Sequence, residues 1–559
     1  MKRRLAAIAL VFLAAGLLGQ ARPEYDVVFL GGTVVDGSGE PRRQADVGVI
    51  GDRLAAIGDL RGAAARRIVD ATGLVVSPGF IDMLGWSEMN VLVDNRGVSK
   101  VTQGVTTEIT GEGWTAAPVN ANTLRDDSAQ YSAWGLVVDW HDLDGYFRRL
   151  ERSGTPFNLG TYVGATQVRK YVIGDVSREP TPAELARMEA LVDTAMRQGA
   201  MGLSTSLGYA PAVYARTPEL ISLARVAARY GGVYASHIRS EGAQIRQALA
   251  EAFRIGREAN LPVEIWHLKL NVRAQWGRMA SILALFDSAR ARGVRVWANS
   301  YPYTASANEL ASIIPAWAHE GGKDSLLRRL QNPTIRARIR RDMRHPRPGA
   351  GGSMSEAGSL NNVIVLSVFD TTLRRYQGKR ITEIAAAEHK DPFDALFDLV
   401  VADHANTGRA TFTMSEADVR LAVSTPWIAV GSDFGARAPD GPLAAPGHPR
   451  SYGTFPRILG KYVREERVLS LEAAIRKMSG LAAERMGLRE RGLLRQGYFA
   501  DITVFDPNTV RDRATFENST AISEGIRYVL VNGRFTLDEG RLTSERPGRA
   551  LRGPGWGAP

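Results

Sequence analysis

Two histidines, His237 and His267, each end a short apolar run, and two carboxylates, Glu112 and Asp433, follow runs of the same kind. Side chains of these types brought to one place make a metal site. Two imidazoles and one carboxylate fill three positions around a tetrahedral zinc and leave the fourth for water, which is the catalytic rather than the structural pattern. Zinc lowers the pKa of such a water towards neutrality, and a further carboxylate can take its proton and later give it to a leaving nitrogen. On this reading His237, His267 and Glu112 are metal ligands and Asp433 is the general base and acid. Taken singly, each has an ordinary alternative: hydrogen-bonded core histidines, a solvated glutamate in the turn-like GEG, a turn aspartate in VGSDF. Their shared position at the ends of apolar runs favours the joint reading. The 559 residues contain no cysteine, so disulfides and thiolate ligation are excluded and a metal must be held by histidine and carboxylate.

The elements that would position these groups follow from the stretch Gly231–Leu270. Val233–His237 and Pro262–His267 read as strands, and between them Ile245–Ala259 has helical spacing, with Ile245, Leu249, Phe253 and Ile255 on or near one face. A helical crossover makes the two strands parallel, which puts both histidines at carboxyl ends of neighbouring strands, where α/β folds place ligands. Similar runs occur at Leu74–Asp82, Val105–Thr110, Asn158–Val163, Ala200–Thr205, Val294–Ser300 and Trp427–Asp433, most of them separated by helix-compatible segments. Eight parallel strands with helical crossovers predict a (β/α)₈ barrel over 74–489. The interval Ala305–Thr425 is too long for one helix, so an insertion is expected before the last strand, with helices at Leu326–Met343 and Asp391–Ala402 and a strand at Val363–Phe369. Strand-like texture with Gly-Gly, Asp-Gly and Asn-Gly turns at both ends, 22–73 and 490–545, predicts a small β-sandwich domain built from both termini.

Lys2, Arg3 and Arg4 precede the apolar run Leu5–Leu18, and small or polar residues follow to Gln20-Ala21. The run is short for a membrane span and fits a cleaved signal peptide over 1–21. The mature chain is therefore expected to be exported, periplasmic or secreted, with no stable membrane anchor. A formal charge of +11 and a pI near 9.8 come from arginines spread along the chain. No helix-turn-helix, zinc finger or stacking-aromatic motif accompanies them, so no nucleic-acid partner is expected.

The segments SPGFID, TQGVTTEITGEG, SHIRSEG, HLK, YPYT, GSDF and HPRSYGTFPRILGKYVRE, together with the terminal GYFADITVFDP and GIRYVLVNG, stand in an order and spacing that resembles the amidohydrolase superfamily, most closely its D-aminoacylase branch, the N-acyl-D-amino-acid deacylases. The resemblance covers essentially all of the chain after the leader. It implies a zinc-dependent (β/α)₈ hydrolase with a small β domain, acting on the amide bond of N-acyl-D-amino acids or related compounds. It matches His237 and His267 to metal ligands and Asp433 to the general acid/base. It also matches Lys269 and Arg450 to groups that hold the substrate carboxylate, and places Tyr301 and Tyr303 where a substrate-binding or oxyanion-stabilising tyrosine falls. A small-molecule partner with a free carboxylate suits both cations, since Arg grips a carboxylate bidentately and Lys supplies a point charge.

Two departures stand out. The family has His-x-His after PGFID, where this chain has Leu84 and Trp86, and the family's metal-ligating cysteine falls at or near Gly113. Neither Leu84 nor Trp86 binds zinc, so about one zinc, or another divalent ion, is expected per chain, with Glu112 in place of the thiolate. Two other readings are kept: a hydrolase of a cyclic or dipeptide-like amide, and a non-catalytic exported binding protein on a decayed amidohydrolase scaffold.

Overall fold

A computed structural model describes residues 24–346, 352 and 354–557. The expected leader, 1–21, lies outside the described residues.

The helix Ile245–Ala259 forms where its apolar spacing places it. Ile245, Ala248, Leu249, Ala252, Phe253, Ile255 and Ala259 turn one buried stripe towards the barrel, and Phe253 meets Phe286 of the next helix edge-on. Asn260 ends the helix in a left-handed conformation, φ 56°, and Pro262 follows. Burying a side chain such as Leu249 contributes about 1.5–3 kcal/mol, so this crossover holds the strands on either side in place through packing. Those strands are Val233–His237 and Val263–Ile265, paired in parallel register.

The barrel strands, in order, are Phe80–Gly85, Val105–Thr110, Asn158–Thr161 (continued by Val163–Gly164), Gly202–Ser206, Val233–His237, Val263–Ile265, Val296–Ser300 and Ile428–Val430. Each pairs in parallel with its successor. The ring closes through a parallel bridge between Gly85 and Phe434. Inside it, Ile81, Met83, Leu84, Tyr162, Trp266 and Ala429 share one buried apolar cluster, the filled interior that such a barrel requires.

Several expectations need correction. The run Leu74–Asp82 is two strands, not one. Val75–Pro78 joins the terminal sheet, antiparallel to Ile502–Phe505, and the barrel begins at Phe80. The chain passes from one sheet to the other at Gly79, whose N–H donates to Asp501 O and which has no room for a Cβ beside Thr106. The terminal strands form a single hydrogen-bonded nine-stranded sheet, with Tyr25–Val34 and Val75–Pro78 next to Ile502–Phe505 and Ile526–Val531. Past 545 the chain continues along the third barrel strand, bridging Thr155 to Pro547 and Leu159 to Ala550. The insertion has its own core and a three-stranded antiparallel sheet, in which Gly408–Thr411 lies between Ser306–Glu309 and Val363–Ser367. Only the last of these strands was legible, because four-residue strands such as SANE and GRAT carry too little alternation.

Candidate metal centre and substrate pocket

His237 closes the fifth strand, and its ring packs over Tyr209 at 4.7 Å. His267 lies two residues beyond the sixth strand with φ 39°, a left-handed conformation that costs a non-glycine residue about 1–3 kcal/mol unless its surroundings impose it. Here the backbone N–H of His267 donates to Asn299 Oδ1 (2.8 Å), which pins the turn against the seventh strand. Glu112 follows the second strand in the tight GEG turn.

The three side chains converge. His237 Nδ1 lies 2.9 Å from Glu112 Oε1 and 2.9 Å from His267 Nε2, and His267 Nε2 lies 3.2 Å from the same oxygen. All three groups are buried, and one ligand atom from each lies within 4.8 Å of the others. Lone pairs turned on one another at such distances need a proton or a cation between them. Glu112 Oε2 is buried without a hydrogen-bond partner among the described residues, an arrangement that ordinarily carries a cost. Burial pushes the Glu112 carboxyl up, but the imidazoles, His267 foremost, hold it below the usual range. Burial and the charge of Lys269 work to lower His267, and the carboxylates of Glu241, Asp433 and Glu112 outweigh them and hold it above the usual range. Two imidazoles and a carboxylate with an orphaned oxygen are the donor set of a zinc-like ion. His267 Nδ1 faces Glu241 Oε1 at 2.9 Å, the carboxylate support that fixes a ligating histidine's ring.

Leu84 is buried in the barrel interior and Trp86 is 41% exposed. Gly113 has φ 77°, and a Cβ there would stand 2.8 Å from the backbone N of Ser206. A side chain at 113 is therefore excluded by both conformation and space, and the ligand atom on offer in this turn is that of the neighbouring Glu112.

Asp433 lies three residues past the eighth strand with φ 53°, and its N–H donates to Leu84 O (2.8 Å). Its carboxylate is buried, and burial pushes its pKa up against the opposing charge of Arg450. Arg450 Nη1 stands 2.9 Å from Asp433 Oδ2. Arg450 begins the helix Arg450–Arg457, and its N–H donates to His448 Nδ1 (3.0 Å). The guanidinium covers Tyr301 at 4.6 Å, and its buried Nε has no hydrogen-bond partner among the described residues.

Lys269 Nζ is buried, 2.5 Å from Glu241 Oε1 and 2.9 Å from His267 Nδ1. Burial opposes its charge, but Glu241 outweighs this and holds it above the usual lysine range. Lys269 also lies 5.5 Å from the Tyr301 ring, so Tyr301 is flanked by both cations. The structure separates the two tyrosines. Tyr303 is turned away, its hydroxyl 3.4 Å from Pro449 O and from Asp512 Oδ2 and its ring under Arg457.

Sequence reasoning did not assign Glu241 or Asn299. Glu241 lay within SHIRSEG, four residues after His237, but nothing in the spacing told its carboxylate from a solvated one. The insertion reaches this place too: Glu356 of the short helix Met354–Ala357 accepts from Glu241 N (3.1 Å) and Asn271 Nδ2 (3.1 Å).

A closed ring of eight parallel strands with a His₂-carboxylate cluster at their carboxyl ends is the architecture of a metal-dependent hydrolase of the amidohydrolase kind. The sequence comparisons agree: the Amidohydrolase family model matches residues 67–537, and the chain belongs to that family. It is 37% identical to the D-aminoacylase of Alcaligenes xylosoxydans xylosoxydans over 94% of this chain and 97% of that one. Among solved structures it resembles an N-acyl-D-glutamate deacylase from Bordetella bronchiseptica, in complex with zinc and a phosphonate mimic of the tetrahedral intermediate. That match has a TM-score of 0.79 and 33% identity, and covers 95% of this chain and 100% of that one. It also resembles a D-aminoacylase with a binuclear metal centre, described by one-metal activation and second-metal attenuation, with a TM-score of 0.78 and 36% identity over 94% of this chain and 100% of that one.

Proposed function

We propose that this protein is an exported hydrolase of the amide bond of N-acyl-D-amino acids, working with a single divalent ion held by Glu112, His237 and His267. The observation that carries the reading is the convergence of these three side chains beside Asp433, Arg450 and Lys269. It occurs in a chain that aligns with D-aminoacylase and N-acyl-D-glutamate deacylase over most of its length. Bound in that cluster, an ion such as zinc supplies Lewis acidity that polarises the amide carbonyl and makes water a better nucleophile at neutral pH.

The chain's own residues do the rest. Asp433 accepts one proton as a water oxygen adds to the carbonyl carbon, and returns it to the nitrogen as the C–N bond breaks; the water's other proton also ends on the amine, so the products are a carboxylate and an ammonium. Arg450 offers the substrate's free carboxylate a planar fork and an Nε with no hydrogen-bond partner among the described residues, and Lys269 adds a second positive charge on the other side of Tyr301. A substrate carboxylate that draws Arg450 to itself loosens the Arg450–Asp433 pair and leaves Asp433 more basic. Leu84, Trp86 and Gly113 provide no ligand atom for a second ion, and the relative described by one-metal activation supports a reaction run with one.

Paired D and L N-acetyl amino acids, assayed with and without chelator, test the reading. Turnover of the D series that chelator abolishes is the expected result. Metal-independent binding without turnover would leave a binding protein instead. Export rests on the basic start and apolar run of 1–21, and a mature protein that keeps Met1 in a cytosolic fraction would refute it.

A further inference from the structure

Lys100 has no exposed surface. It belongs to the short helix Val98–Val101, between the first and second barrel strands. Its ammonium donates to Asp82 Oδ2 (2.7 Å), Ser432 Oγ (2.8 Å) and Phe434 O (2.7 Å), so all three protons are used. Glu108 Oε2 lies 3.5 Å away. Asp82 Oδ1 in turn accepts from Ser432 N (2.8 Å) and Leu84 N (3.2 Å). Glu108 accepts from Ser87 N (3.0 Å) and Ser87 Oγ (2.8 Å), and Ser87 Oγ accepts from Ala436 N (2.8 Å). The space for Glu108 exists because residue 85 is glycine, since a Cβ there would stand 1.7 Å from Glu108 Oε1.

The residues this network grasps in the segment after the eighth strand are Ser432, Phe434 and Ala436. The first two flank Asp433, which has left the strand, holds a left-handed φ of 53° and has its own N–H tied to Leu84 O. A buried charged network is expensive to assemble and rigid once its partners are satisfied. Nothing in the hydrolytic reading uses Lys100, Asp82 or Glu108, yet their hydrogen bonds end on the two neighbours of the residue assigned as base. On this side of the mouth, where Leu84 and Trp86 offer no metal ligand, the organising positive charge is a fixed ammonium.

We infer that Lys100 is a positioning residue for Asp433. Clamped by Asp82 and Glu108, it holds Ser432 and Phe434 so that the Asp433 carboxylate points at the metal cluster. This rests on Asp433 being the general base, as set out above. Lys100 touches neither substrate nor metal, and it acts through the backbone on either side of Asp433. Displacing a catalytic group by about 1 Å costs roughly 100-fold in rate.

The test is a double-mutant cycle on the metal-loaded enzyme. Lys100→Met and Ser432→Ala are each made in the native and the Asp433→Asn backgrounds, with kcat, KM, metal content and melting temperature measured. Lys100→Met is expected to lower kcat about 10- to 100-fold with metal content unchanged and KM moved less than about threefold, and to cause no further loss in the Asp433→Asn background. Ser432→Ala removes one partner of the ammonium without stranding the charge. If Lys100→Met fails to fold, Ser432→Ala decides the matter, with a smaller kcat loss expected that also vanishes in the Asp433→Asn background. Losses that multiply fully with that of Asp433→Asn, or an undiminished kcat in both variants, would overturn the positioning role alone. Near-native turnover by Asp433→Asn itself would overturn the base assignment and this inference with it.

Discussion

Arg450 Nη1 stands 2.9 Å from Asp433 Oδ2, both groups buried. The residue matched to the substrate's carboxylate is thus ion-paired, before substrate arrives, with the residue matched to the proton transfer. On the proposed reading the pair would link binding to catalysis, because a carboxylate taken up by Arg450 would compete with Asp433 for the same guanidinium.

Asp433→Asn keeps the shape of the side chain but exchanges one acceptor oxygen for an N–H donor, gives up the charge that faces Arg450, and cannot take a proton. It is expected to retain the fold and the metal and to lose turnover by about two orders of magnitude or more, the usual scale for general acid–base loss. Metal analysis together with kcat checks this. A metal-loaded Asp433→Asn enzyme turning over at the native rate would move the base elsewhere.

Arg450→Ala is expected to raise KM for N-acyl-D-amino acids far more than for their carboxamides, because only the acid offers a charged bidentate partner. Arg450→Lys is expected to recover little of the loss, since an ammonium lacks the planar fork. Equal losses on acid and carboxamide would remove Arg450 from the carboxylate site.

Purified protein is expected to hold about one zinc-like ion per chain, because the residues present furnish one three-ligand cluster among those described. His237→Ala and His267→Ala should each lose it. Chelation should also lower the melting temperature, since an ion bound only by the folded state stabilises it by about 4 kcal/mol when its free concentration exceeds Kd a thousandfold. Two stoichiometric ions by elemental analysis would contradict the assignment.

Glu88 gives a pH prediction for stability. It is buried, accepts from Thr161 Oγ1 (2.7 Å), and burial pushes its carboxyl up from 4.5 to about 7. Between those values the folded chain keeps a proton that the unfolded chain releases. Its contribution is therefore full below about 4.5 and is lost as the pH rises through about 7. Glu88→Gln removes that titration and should flatten the fall in unfolding free energy across the window, by at most about 3 kcal/mol at about 1.4 kcal/mol per pKa unit. Denaturant melts of both proteins at pH 5 and pH 7 decide it, and identical pH slopes would refute the buried, protonated carboxyl.

Much of the scaffold was determined by local pattern. Ile245–Ala259 is a helix because its apolar residues recur at the helical period, and Val233–His237 and Val105–Thr110 are strands because each is a short run bounded by turn residues. Alternating strands and helices leave few topologies besides a parallel barrel, and the barrel in turn brings His237, His267 and Glu112 together. What only the tertiary structure decided are the partnerships between side chains far apart in the chain. Tyr301 and Tyr303 are indistinguishable in YPYT, yet the first lies between two cations and the second turns to Asp512. Lys100, Asp82 and Glu108 look like ordinary surface charges until the strands close around them. Pattern reports which way a residue faces through the period of its own element, whereas a buried charge is defined by the partner that folding brings to it from another strand.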